Sequence, residues 1–134
     1  MPEAINFLQS FFTFNSFSSI GASRHEIRLA NALKKDARKY AAEAAAEARN
    51  AETAQMLTLE GKEKSASRSL AEIAIWHHEL SLKKYRRAAA RYAEAAKIRT
   101  KKQKEFDATA REMTLLAAKS ESAVRALSEF IKQS

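Results

Sequence analysis

The sequence predicts an all-α protein built from long helices, and three observations carry that prediction. The chain of 134 residues holds two glycines, Gly21 and Gly61, and one proline, Pro2, so it lacks the turn residues a sheet needs. Ala, Glu, Lys, Leu and Arg dominate, which is long-helix composition. From Ala71 to Ile131 one seam recurs with spacing 4, 3, 4, 3: Ala71, Ile75, His78, Leu82, Tyr85, Ala89, Tyr92, Ala96, Arg99, Gln103, Phe106, Ala110, Met113, Ala117, Ser120, Val124, Leu127 and Ile131. A sustained repeat of this kind marks a coiled coil or a long bundle helix, and read as one helix it is roughly 90 Å long. The expected architecture is elongated, with two long helices forming a coiled-coil hairpin or helical bundle behind a short Phe-rich N-terminal segment.

Residues 1–22 form that segment. They hold five of the seven phenylalanines, Phe7, Phe11, Phe12, Phe14 and Phe17, and a single charge, Glu3. Ile5, Leu8, Phe11 and Phe12 follow helical spacing, while Phe12 and Phe14 also alternate as in an extended chain. Such a concentration of apolar side chains needs cover, from the protein's own helices, a sister subunit, a partner or a membrane. Ile5, Phe7, Leu8, Phe11, Phe12, Phe14 and Phe17 are therefore the expected partner- or membrane-contact residues, with membrane contact through 5–20. The Ser18–Ser23 run is a break. Ser23 followed by Glu26 reads as a capping box that opens the domain spanning 23–134.

Residues 24–60 are the first long helix. Ala30, Leu33, Ala37, Tyr40, Ala44, Ala51 and Ala54 share one face, with Glu47 the misfit, and eight of the fourteen residues from Ala41 to Ala54 are alanine. Alanine favours helix but buries little area, so such a face gains most when another helix approaches closely. Residues 58–68 are the candidate hinge. Gly61 either ends the first helix and lets the chain fold back, or sits in one bent helix at a loss of about 1 kcal/mol.

Residues 66–132 read as a single second helix. Ile73, Ile75, Trp76, Leu80 and Leu82 make a wide apolar patch near its start. Its middle is narrow and basic, and its end recovers with Phe106, Met113, Leu115, Leu116, Val124, Leu127, Phe130 and Ile131. The first helix is too short to cover all of it. The uncovered C-terminal part then argues for oligomerisation, for another helical protein, or for packing by the N-terminal segment. Arg99 and Gln103, polar within the seam, are expected to set register.

The net charge of +8 is unevenly placed. Between 83 and 104, Lys83, Lys84, Arg86, Arg87, Arg91, Lys97, Arg99, Lys101, Lys102 and Lys104 face Glu94 alone. The bland reading of this band is a solvated helix. The functional reading is attraction to phosphates of nucleic acid or anionic lipid, with Lys83, Lys84, Arg86, Arg87, Arg91, Lys97, Lys101, Lys102 and Lys104 as contacts. No base-reading motif accompanies it, so binding of that kind is backbone-directed and salt-sensitive.

Other chemistry finds little support. The absence of cysteine removes disulfides and thiolate catalysis. His77, His78 and Glu79 are adjacent and point in different directions from a helix, and no H-E-x-x-H or i, i+4 histidine pair is present, so no metal or cofactor is expected. There is no Gly-rich phosphate loop and no Gly-x-Ser-x-Gly turn, so no enzyme and no catalytic residue is expected. No stretch reaches the roughly 18 uncharged apolar residues of a membrane-spanning helix, and the start lacks the basic region of a secretory signal. A cytoplasmic or virion-associated location is the reading.

A short apolar start, a Ser/Gly break and then ARKYAAEAAAEARNAETAQMLTLEGKEKSASRSLAE resemble, over residues 5–75, the small internal virion proteins of short-tailed phages. The likeness lies in composition and layout, and Gly21 alone stands where that family carries more glycine. It implies an all-helical protein that leaves the capsid and helps build a conduit for DNA across the cell envelope, with residues 5–20 touching membrane and the basic band facing DNA or lipid head groups. Three functional expectations follow from the whole reading. The first is a non-enzymatic, self-associating coiled-coil subunit of a larger complex. The second is a membrane-active internal virion protein that helps DNA ejection. The third is a basic helical protein bound to nucleic-acid backbone.

Overall fold

The computed structural model describes residues 23–61 and 63–133, and the described chain is all-α. It consists of α1 (Arg24–Glu60), α2 (Lys64–Ala96) and α3 (Gln103–Gln133). At 1.5 Å per residue the helices are about 55, 50 and 46 Å long. α2 lies between the other two and runs antiparallel to both. The pairs Glu43–Lys84 and Asp36–Arg91 set the first direction, and Ser81–Ser120 and Tyr92–Phe106 set the second.

α1 begins at the capping box that the sequence predicts. The Ser23 hydroxyl accepts from the Glu26 amide at 3.1 Å, and the Glu26 carboxylate accepts from the Ser23 amide at 2.9 Å. Two of the orphan donors at the helix start are thereby satisfied. The helix ends at Glu60, where the Gly61 amide donates to the Thr58 carbonyl at 3.3 Å. Gly61 has φ −67°, so its role is space and not handedness. A Cβ there would stand 2.6 Å from Ser67 Oγ, across the turn.

The α1–α2 seam is a run of small residues repeating every seven. Ala30, Ala37, Ala44, Ala51 and Thr58 are buried on α1, and Ser67, Ala74, Ser81, Ala88 and Ala95 are buried on α2. Two bonds fix their register: Ser67 Oγ donates to the Thr58 carbonyl at 3.4 Å, and Ser81 Oγ donates to the Ala44 carbonyl at 3.0 Å. With the helices antiparallel, the same register sets Ala74 against Ala51, Ala88 against Ala37 and Ala95 against Ala30. A side-chain hydroxyl bonded to the opposing backbone requires close helix axes, which small residues permit. Close approach is how an alanine face gains contact despite its small area.

The second helix read from the sequence is two helices. The chain turns at 97–102, and α3 folds back along α2. Lys97 and Ile98 donate to the Glu94 and Ala95 carbonyls at 3.1 Å, tightening the end of α2. The Lys102 amide donates to Thr100 Oγ1 at 3.3 Å, and the Phe106 amide donates to the Lys102 carbonyl at 2.9 Å as α3 begins. Lys97, Arg99, Lys101 and Lys102 crowd like charges into this stretch, and Ile98 and Thr100 are β-branched. Each of these disfavours helix by only a few tenths of a kcal/mol. Burial decides the matter. Phe106, Met113 and Leu127 become 91–98% buried by folding back, at about 1.5–3 kcal/mol each. A straight helix would leave them in water.

Two expectations are corrected by that turn. Arg99 and Gln103 are not register-setting seam residues, because Arg99 lies in the turn and Gln103 opens α3. The C-terminal part of the chain is not left uncovered, because α3 and α2 cover each other. The seam survives the turn because Tyr92 and Phe106 are two heptads apart. Both are buried, with ring centroids 6.4 Å apart.

The core forms two blocks. The larger, towards the 97–102 turn, joins Ala30, Ala37, Ala44, Tyr85, Ala88, Tyr92, Ala95, Phe106, Ala110, Met113 and Ala117. The smaller joins Ala54, Ala71, Ala74 and Leu127, with Ile75 and Ile131 packed against them. Between them lies a polar layer of Ser81, Ser120, His78 and Gln55.

Candidate interaction surfaces

The basic band divides once the chain is folded. Lys84 Nζ meets Glu43 at 2.7 Å, Arg91 Nε meets Asp36 at 2.8 Å, and Arg86 meets Glu121 at 3.6 Å. The Lys84 contact holds the Glu43 carboxyl below its ordinary range, and the Asp36 contact raises Arg91. Lys84, Arg87 and Arg91 also gather over the Tyr40 ring at 5.7–6.0 Å from its centroid. Tyr40 thus organises the α1-facing cations, and Lys84 and Arg91 are neutralised within the bundle. Lys83, Lys97, Lys101, Lys102 and Lys104 are exposed and form no ion pair among the described residues. Lys83 stands apart on α2, and the other four sit in or beside the 97–102 turn.

α1 adds to this end of the bundle. Lys34 lies against Lys102, whose hydrogen-bond contact and charge push the Lys34 ammonium below its ordinary pKa of 10.5, with Arg38 acting in the same direction. Sequence reasoning missed Lys34 because its meeting with Lys102 exists only after two reversals of the chain. Glu105 is the carboxylate that acts on Lys34 in the opposite sense.

The apolar patch near the start of α2 also divides. Ile75 packs on the smaller core block and Leu82 on the larger. Ile73 and Trp76 face outward, 48% and 58% exposed. Trp76 sits edge-on to His77 with centroids 4.9 Å apart, and His77 Nδ1 lies 3.4 Å from Glu47 Oε2. This explains the Glu47 misfit, since that carboxylate faces a histidine at the α1–α2 boundary.

A groove of about 470 Å³ opens between α1 and α3 over the polar layer. Ala48, Glu52, Gln55, Met56 and Leu59 form the α1 wall, Leu116, Lys119, Ser120 and Ala123 form the α3 wall, and His78 and Tyr85 form the floor. His78 is 6% exposed, and its Nε2 meets Gln55 Oε1 at 3.1 Å. Burial pushes its pKa below the ordinary 6.5, Glu52 opposes that shift, and His77 adds to it. Its Nδ1 is buried without a hydrogen-bond partner.

The N-terminal contact residues Ile5, Phe7, Leu8, Phe11, Phe12, Phe14 and Phe17 lie outside the described residues. Among the described residues no helix is long and apolar enough to cross a membrane, and no group of three or more His, Cys, Asp or Glu is placed to hold a metal ion. Comparison with protein-family models, curated proteins and solved structures gives no match to this chain.

Proposed function

We propose that the protein is a non-enzymatic helical subunit of a larger assembly, joined to its neighbours through the outer face of α2. The observation that carries this reading is the exposure of Ile73 and Trp76, one turn apart, on a bundle whose three helices already cover one another. Tryptophan is the residue most enriched at the energetic centres of interfaces, and an outward-facing apolar pair gains most when a second surface buries it. The test is light scattering after size exclusion on the intact chain and on Ile73→Ser/Trp76→Ser. A defined oligomer that becomes a monomer of unchanged helicity on substitution supports the proposal. A wild-type monomer at about 100 μM, or an oligomer untouched by the substitutions, overturns it.

A second reading, attachment to nucleic-acid backbone through the 97–104 end, is favoured by the approach of Lys34 to Lys102. Two ammonium groups held together are relieved by an anion between them. Titrating random-sequence duplex DNA at several salt concentrations tests it. Each lost phosphate contact lowers the slope of log K against log salt by about 0.9. Lys101→Gln, Lys102→Gln and Lys104→Gln are each expected to do so. Binding that ignores salt, or is absent, removes the reading.

A further inference from the structure

α2 carries more than one seven-residue stripe, and the bundle leaves one of them bare. The stripe through Ser81 meets α1, and the stripe through Tyr92 meets α3. Another consists of Ile73, Trp76, Leu80, Lys83, Arg87 and Ala90, spaced 3, 4, 3, 4, 3. That spacing is the mark of a helix-pairing seam. The helical repeat turns it away from both neighbouring helices. Leu80 is half-buried and the other five are exposed.

The charges along this stripe are sorted by sign. Its first half is apolar and is flanked by Glu72 and Glu79, while Lys83, Arg86 and Arg87 make its second half basic. Glu72, Glu79 and Lys83 are exposed and form no ion pair among the described residues. Arg86 reaches Glu121 only at 3.6 Å, with 61% and 45% of the two side chains exposed. A helix face with acidic and basic halves complements its own reverse. Laid parallel on a second copy, it sets Glu79 beside Glu79, Lys83 beside Lys83 and Arg87 beside Arg87, and like charges so placed reject the arrangement. Laid antiparallel, it sets acid against base.

We propose that the outer face of α2 binds the same face of a second copy of this chain, antiparallel, about a two-fold axis between Leu80 and Lys83. The proposal rests on the reading of this face as an assembly surface and names its partner. Seven-residue spacing then pairs each Ile73 with Ala90 of the other copy, and each Leu80 with the stem of Lys83. Trp76 lies against Arg87, whose guanidinium can rest on the indole face. Glu79 stands between Lys83 and Arg86 of the other copy. Every contact occurs twice, as two-fold symmetry requires. α1 and α3 lie on the far side of α2 in both copies, so they leave the approach open.

The test combines mass, distance and charge on the full chain. Light scattering after size exclusion should give a dimer. Lys64→Cys supplies the only thiol, since the chain has no cysteine. Spin labels there should lie about 50 Å apart across the antiparallel dimer, against about 20–30 Å for parallel helices with label arms. Glu79→Arg should weaken the dimer about tenfold by turning two attractive contacts repulsive. An equimolar mixture of Glu79→Arg and Arg86→Glu chains should recover it, with helicity and melting showing that both variants fold. A parallel pair would exchange one like-charge contact for another and be unmoved by Glu79→Arg. A short Lys64 separation, an unchanged Glu79→Arg dimer, or an assembly of another size overturns this pairing alone when Ile73→Ser/Trp76→Ser still disrupts association. A monomer, or a dimer indifferent to Ile73→Ser/Trp76→Ser, overturns the pairing and the α2 assembly reading together.

Discussion

Replacing Ala44 with leucine separates a close-approach seam from an ordinary apolar one by the sign of its effect. Ala44 is fully buried, and its own carbonyl accepts from Ser81 Oγ of the facing helix at 3.0 Å. Leucine adds three carbons. Between helices at ordinary spacing, filling space over alanine with those carbons would stabilise the fold by about 2.4 kcal/mol, at 0.8 kcal/mol per buried carbon. Here the space is taken by the backbone and side chains of α2. The added carbons must force the helices apart, which costs about 1–3 kcal/mol by overpacking and also breaks the Ser81 bond. The assay is urea unfolding followed by circular dichroism, with Ala42→Leu as the control. Ala42 is exposed on the same helix, and its change should stay within about 0.5 kcal/mol. A lower midpoint for Ala44→Leu at unchanged slope is expected. A variant as stable as the wild type, or more so, refutes the close seam.

Other perturbations probe separate parts of the structure. Ser23→Ala removes half of the capping box and should lower stability by about 1 kcal/mol, read as a lower urea midpoint. Gly61→Ala places a Cβ 2.6 Å from Ser67 Oγ. It should destabilise by about 1 kcal/mol, and Ser67→Ala in the same chain should recover most of that in a double-mutant cycle. His78 is held neutral by burial, so its folded pKa lies below the 6.5 of the unfolded chain. Its contribution is fully present above pH 6.5 and is lost as pH falls below it, because the unfolded chain then takes up the proton first. Urea midpoints should therefore drop between pH 7 and pH 5.5, and His78→Gln should flatten that drop. The lowered Glu43 carboxyl acts in a separate window, below its ordinary 4.5, where stability is lost with further acidification. Asp36→Asn breaks an ion pair whose partners are 39–43% exposed. It should change stability by less than about 1 kcal/mol.

Much of the helical content was legible because it rests on local chemistry. Ser23 and Glu26 read as a cap from spacing alone, and the seam positions Ala71, His78, Tyr85, Tyr92, Phe106, Met113 and Leu127 are all buried. The turn at 97–102 was not legible. It uses no glycine or proline, and Tyr92 to Phe106 preserves the seven-residue period across it, so periodicity cannot distinguish a turn from a helix there. A second seam on α2, Ser67, Ala74, Ser81, Ala88 and Ala95, was hidden because serine and alanine register weakly as apolar. Its sign is the heptad spacing of small residues, matched by the alanine heptad of α1. The basic band was visible as composition, but its division required the partners Glu43, Asp36 and Glu121, which no spacing within 83–104 reveals. The α1–α3 groove and the burial of His78 likewise depend on the third helix coming back.

The reversal at 97–102 places α3 over the core, sets Lys102 against Lys34 and makes the groove, so its direct test is a distance. The chain has no cysteine, so spin labels can be attached cleanly at Glu72→Cys and Glu129→Cys, both exposed positions. Leu127 packs with Ala71 and Ala74, so pulsed electron paramagnetic resonance should give a separation of about 20–30 Å, set by the helix spacing plus the label arms. An unbroken helix would put the same sites about 85 Å apart. A distribution centred near that longer distance would contradict the three-helix account and every surface built on it.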